Sequence, residues 1–251
     1  MQLADLTWPR VKALAPHTPI VFPVAALEQH GHHLPLFTDS LILGEIVHRA
    51  EPALRDRIVF APLQWLGNSD HHLDFPGTLS APPRAYLDVL NGMIDNAVRH
   101  GFRRIVFING HGGNDVPGRQ AVFEARQRHR DRNDLLLLFA TYWNLAKLPQ
   151  EKHADFHQHE MGHACEWETS MILRLAPHLV GDLKDVPTTR ARTAFENAGL
   201  GWVTQDFVRD GHIGNAASAT ADKGETLFSS FAGGLTRFLR EVVDWDGRSW
   251  S

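Results

Sequence analysis

Ile20-Val21-Phe22-Pro23-Val24-Ala25-Ala26-Leu27 runs directly into Glu28-Gln29-His30-Gly31-His32-His33-Leu34-Pro35-Leu36-Phe37-Thr38-Asp39. The first eight residues are apolar without alternation, the pattern of a strand covered on both faces. The next twelve carry two carboxylates and several imidazoles, at what should be the strand's carboxyl end. Imidazole nitrogens with carboxylate oxygens, and no thiolate, suit divalent transition metals.

The same alternation of apolar runs and amphipathic segments continues along the chain. Strands are predicted at 20–24, 57–62, 104–109 and 135–142, with helices at 40–53, 83–101 and 116–130 between them. Continuous apolar strands interleaved with helices predict a three-layer α/β/α fold with a mainly parallel sheet. No repeat, low-complexity stretch or linker interrupts it, so residues 1–251 read as a single domain.

Composition excludes several classes of function. With 43% hydrophobic and 22% charged residues the chain is an ordinary globular one, long enough to bury a substantial core. A net charge of -4 gives no electrostatic case for nucleic acid. Cys165 is the only cysteine, so neither a disulfide framework nor a thiolate zinc site is available, in keeping with a cytoplasmic protein. The first residues lack the basic and apolar regions of a signal peptide. No apolar run approaches the roughly 20 residues of a membrane span.

Of the sixteen histidines, His48, His100 and His129 lie among charged residues in helical stretches and read as surface. Most of the others concentrate after the strands. Glu28-Gln29-His30 follows the first, Gly67-Asn68-Ser69-Asp70-His71-His72 the second, Asn109-Gly110-His111-Gly112-Gly113-Asn114 the third, and the stretch 157–168 the fourth after a loop. Ligands of parallel sheets collect at that edge. Glu28 and His30, two apart, can point to one side of an extended segment. Asp39 precedes the first helix, where a carboxylate also serves as a plain N-cap. The glycines around His111 allow a tight turn, and without a following Gly-Lys-Ser/Thr the stretch is no phosphate loop. Glu168 reads as a site residue ahead of the alternative, an acid favoured by a helix N-terminus, while Glu166 reads equally as a solvated charge.

These elements resemble the creatininase family of metal-dependent amidohydrolases. The resemblance rests on Glu28-Gln29-His30-Gly31, Leu34-Pro35, Thr38-Asp39, Asn109 to Asn114, and His163-Ala164 through Glu168-Thr169-Ser170. Phe75-Pro76-Gly77-Thr78-Leu79-Ser80, Tyr142-Trp143 and Lys223-Gly224-Glu225 add to it, in family order across roughly residues 15 to 240. It implies two divalent ions per subunit (zinc, manganese or iron) and a homo-oligomer, with a hexamer among the forms. Glu28 and His111 resemble the ligands of one ion and His30 a ligand of the other, with Asp39 bridging and Glu168 completing the set. Three departures argue against creatinine itself as the substrate. Creatininase proper has an acid at the position of Gly113, an aromatic residue at Gly112 and a tryptophan near His159.

The activity implied is hydrolysis of a non-peptide or cyclic C–N amide bond (a formamide, lactam or creatinine-like compound) by a metal-bridged hydroxide. His163 is the expected proton shuttle, with Glu160 near the substrate and either it or Glu166 orienting His163. Ser69, Trp143 and His159 are expected to line the pocket of a small-molecule amide. The alternatives are a metal-dependent isomerase or lyase acting on a sugar-type substrate, and a peptidase trimming a modified peptide precursor.

Overall fold

In the computed structural model, which describes residues 1–148, 150–191 and 198–248, four strands form one sheet. They are β1 (Ile20–Val24), β2 (Val59–Phe60), β3 (Arg104–Asn109) and β4 (Leu136–Thr141), ordered β2-β1-β3-β4. Every pair is parallel, and the central strands match from Ile20 with Ile105 to Val24 with Asn109. The helices are α1 (Trp8–Leu14), α2 (Thr38–Ala50), α3 (Pro83–Arg99), α4 (Asp115–Arg128), α5 (Glu166–Leu175), α6 (Thr204–Phe207) and α7 (Ala221–Asp244).

Successive side chains of a strand point to opposite faces, and the two halves of the core follow from this. Val21, Val106 and Ile108 pack with α2, α5 and α7, including Ile42, Ile46, Met171, Phe228 and Phe231. Ile20, Phe22, Ile105 and Phe107 pack with Tyr86, Leu90 and Ile94 of α3 and Ala121 and Ala125 of α4. The α3 positions recur at four-residue spacing, which makes one apolar face, and Pro83 sits in the first turn where its missing N–H costs nothing. Gly101 ends that helix with φ +99°, a conformation that favours glycine. At Gly224 a Cβ would lie 2.1 Å from the Ser170 carbonyl, so glycine lets α7 close on α5.

Several boundaries shift by a residue or more from the sequence expectation, and two of them bear on the site. The strand expected at 57–62 is cut to two paired residues, since Pro62 has no N–H to donate. Helix α2 starts at Thr38, not Ser40, so Asp39 lies inside its first turn. No described helix is long and apolar enough to cross a membrane.

From β1 the chain moves outward to β2, then returns across β1 to β3 on its other side. That reversal leaves a crevice at the carboxyl ends of β1 and β3, the usual ligand position in open α/β sheets.

Candidate metal centre

The loops leaving β1, β2 and β3 are laced together by two asparagines. Asn114 Nδ2 donates to the Ala25 carbonyl (3.0 Å) and to Asn109 Oδ1 (3.2 Å), while its Oδ1 accepts from the Asn68 N–H (2.8 Å). Asn109 Nδ2 donates to the His111 carbonyl at 2.7 Å, and Asn109 Oδ1 accepts from the His111 N–H at 3.1 Å. His111 is thereby presented toward the loop after β1. Gly31, with φ +62°, turns that loop back after His30.

Glu28, His30, Asp39, His111 and Glu168 converge there, all buried. Asp39 Oδ1 lies 3.1 Å from His30 Nε2, and its Oδ2 lies 3.0 Å from His111 Nδ1. Glu28 Oε1 is 3.2 Å from His111 Nδ1, and Glu168 Oε1 is 3.7 Å from His30 Nε2. Asp39 thus spans two imidazoles, one per oxygen, and makes no side-chain cap for α2. Its Oδ2 and Glu28 Oε2 have no partner in hydrogen-bond geometry. Glu168 divides its carboxylate: Oε2 accepts from the Cys165 N–H at 3.4 Å, as a capping acid does, and Oε1 faces His30. The capping role and the site role coexist.

Electrostatics follow from this crowding. Burial disfavours the charged forms of His30, His111 and Asp39, yet mutual attraction outweighs it. Asp39 and Glu168 raise His30 well above its usual value, and Glu28 and Asp39 raise His111 to about 10. The same two imidazoles hold Asp39 well below the ordinary carboxylate range. A divalent ion would replace those imidazole protons, because ligating histidine is neutral.

His163 precedes α5 and pairs with Ile213 in both directions, N–H to carbonyl at 2.9 Å and 2.7 Å. Ala164, at φ +47°, then turns the chain into the helix. The His163 ring has Nδ1 at 3.6 Å from Glu28 Oε1. Its Nε2 sits 2.8 Å from the Gln29 carbonyl and 2.9 Å from Gln29 Nε2. Burial, then the charge on His30, lowers its pKa to about 3.

Other expected residues are distributed unevenly. Ser69 Oγ lies 3.2 Å from His111 Nε2, and Trp143 lines a cleft of about 900 Å³ that opens on the cluster. Glu160 and His159 are exposed and outside the cleft lining. Glu166 is buried but turned away. Its Oε1 meets Lys223 Nζ at 2.6 Å and its Oε2 accepts from the Gln158 N–H at 2.8 Å, so it does not orient His163. Starting α5 at Glu166 puts the two acids of its first turn on different sides.

Three contributors carried no assigned role in the sequence reading. His72 stacks on His163 (4.2 Å between ring centroids) with Nε2 3.5 Å from Glu28 Oε1, so it belongs to the cluster. Gln29 holds His72 and His163 together, its Nε2 2.9 Å from a ring nitrogen of each. Trp202 lies edge-on to His71 (5.1 Å) at the cleft. The histidine pair after β2 was the available signal for His72; nothing local marked Trp202.

Fold and cluster together define a parallel α/β scaffold with a candidate metal centre at its switch point. Residues 4–239 match the creatininase family, described as creatinine amidohydrolase, and the chain belongs to that family. It is 32% identical to the mycofactocin precursor peptide peptidase of Mycolicibacterium smegmatis, over 91% of this chain and 87% of that protein. It is 27% identical to the creatinine amidohydrolase of Pseudomonas putida, over 95% and 96%. A solved mutant creatininase of Zn-Zn type superposes with a TM-score of 0.81 at 27% identity, covering 97% of this chain and 98% of that one.

Proposed function

We propose that this chain hydrolyses a C–N amide bond of a small molecule and holds two divalent ions to do so. Glu28, Asp39 and His111 would hold one ion, and His30, Asp39 and Glu168 the other. The observation that carries this reading is the crowding of buried carboxylates on imidazoles, with Glu28 Oε2 lacking any hydrogen-bond partner and Asp39 Oδ2 meeting His111 Nδ1 at 3.0 Å outside hydrogen-bond geometry. A buried acceptor left unpaired costs about 1–3 kcal/mol, and more when charged, which a coordinated cation removes. Imidazole and carboxylate donors fit zinc, manganese or iron. Cys165 is buried but belongs to none of the groups of side chains close enough to share an ion among the described residues.

When bound, two such ions lower the pKa of a water and polarise the scissile carbonyl. The chain's own groups supply the rest. His163, kept neutral by burial, has one ring nitrogen toward Glu28 and the other held by Gln29. It is the group placed to pass a proton from the attacking water to the leaving nitrogen, and its lowered proton affinity favours the second transfer. Gly113 supports a substrate other than creatinine. A Cβ there would lie 2.1 Å from the Asn68 carbonyl and 2.5 Å from His111 Nε2, so an acid at this position does not fit. Glu168 takes its place beside His30.

A second reading, a peptidase trimming a modified peptide precursor, draws support from the 32% identity to the mycofactocin precursor peptide peptidase. One panel separates the two. Metal-loaded protein is offered formamides, lactams and short peptides, and release of formate or amine is followed. Turnover of formamides or lactams alone supports the proposal. Turnover of peptides alone favours the second reading, and none on any substrate with both metals bound defeats both.

A further inference from the structure

We infer that the cleft selects amides carrying an aromatic-sized apolar group and no negative charge, a specificity that rests on the hydrolase reading above. About 900 Å³ is far more than the amide of a simple lactam fills and lies within the range of drug-sized ligand pockets. Beyond the carboxylates and imidazoles of the cluster, and apart from Asn68 and Asp70, its walls present large apolar side chains, among them Val116, Trp143, Leu200 and Trp202. Val116, Leu200 and Trp202 are also among the exposed large hydrophobic residues, at 78%, 44% and 40%. An exposed apolar patch bordering a polar site marks a binding surface.

Trp202 stands in a defined relation to the reacting end. Its ring is 5.1 Å from that of His71, and the His71 ring stacks on His111 at 5.7 Å and 13°. One imidazole therefore separates the tryptophan from a residue of the metal centre. A planar group joined closely to the scissile amide reaches Trp202 while the amide lies over the cluster. Charge completes the selection. Among the described residues, no Lys or Arg lines the cleft, whereas Asp70 does, exposed, with Oδ1 accepting from Ser80 Oγ at 2.5 Å. A substrate carboxylate or phosphate on that outer wall, away from the metal-binding residues, would meet no Lys or Arg and would lie beside an acid. A neutral or cationic group meets no such cost.

The test is calorimetric binding to the zinc-loaded full chain of four probes: acetamide, acetanilide, 4-acetamidobenzoate and 4-(aminomethyl)acetanilide. The neutral and cationic anilides should bind about tenfold tighter than the benzoate and than acetamide. In Trp202→Ala the acetanilide-to-acetamide affinity ratio should fall about fivefold, the size of one aromatic contact. Trp8→Ala, a substitution on the exposed face of α1, should leave that ratio as it is. The inference is overturned if the benzoate binds as tightly as acetanilide, if acetanilide does not bind, or if Trp202→Ala leaves the ratio unchanged. Zinc content and amide turnover of the same preparations report on the hydrolase reading separately. Bound zinc with amide turnover but no ranking among the probes defeats the specificity alone.

Discussion

Glu166 and Glu168 are two residues apart in one turn of α5, and they belong to two different kinds of charged cluster. Glu168 faces imidazoles, beside carboxylate oxygens that no hydrogen bond satisfies. Glu166 faces a permanent cation, with both its oxygens used by Lys223 and the Gln158 N–H. Further along α7, Glu225 is likewise closed by Arg49 and Arg174, with contacts of 2.7 Å to each. The closed clusters tie α5 to α7 and α7 to α2. The open one borders the cleft. The difference lies in the partners: arginine and lysine complete a carboxylate, while imidazoles beside spare lone pairs leave it ready for a cation.

The sharpest way to break this contrast is to remove the Asp39 carboxylate, which spans His30 and His111 and is proposed to bridge the ions. Asp39→Ala should lower metal affinity by more than about 100-fold, above the effect of a typical residue behind the ligands. Metal content after dialysis measures it, with circular dichroism showing that the fold persists. Retention of both ions would mean that Asp39 is not a ligand. Next in size, His163→Ala should lower kcat about 100- to 10,000-fold while metal content holds. Turnover near that of the parent chain would remove His163 from proton transfer.

The closed clusters should fail differently. Lys223→Met strands the buried Glu166 charge and should cost about 3 kcal/mol, or roughly 10 °C in Tm, by thermal unfolding. Metal content at low temperature should stay unchanged, and a concurrent loss of metal would join the two regions that the contrast separates. The smallest effect is expected at Glu225, whose carboxyl the two arginines hold at about 2. A lowered folded-state pKa contributes stability above the unfolded value near 4.5 and loses it as pH falls toward 2. Glu225 is 42% exposed, so solvent screening keeps the contribution under about 1 kcal/mol. Glu225→Gln should therefore lower Tm by a few degrees at pH 7 and converge with the parent chain near pH 2. An equal deficit at both pH values would point to packing instead of charge.

Much of the scaffold was legible because it is written in local pattern. The strand at 104–109 and the helix from Pro83 follow directly from apolar runs, spacing and proline position. Glu28, His30, Asp39 and His111 were legible because the end of a parallel strand is a known place and their chemistry is distinctive. What the chain does not write locally is direction. Whether Glu166 or Glu168 meets His30 depends on where α5 starts, and one residue of helix rotates a side chain by 100°. Gln29 and His72 gain their role only when the loop after β2 folds against His163, and Trp202 arrives from a segment more than 90 residues beyond His111. Such long-range meetings leave no mark in spacing.

The most direct test of the account is the metal content of anaerobically purified protein, read together with amide turnover before and after chelation. The account predicts two divalent ions per chain, turnover that is lost with them, and recovery when zinc, manganese or iron is returned. Protein that binds no divalent ion under any of these loadings, or that turns over amides equally without one, would contradict it.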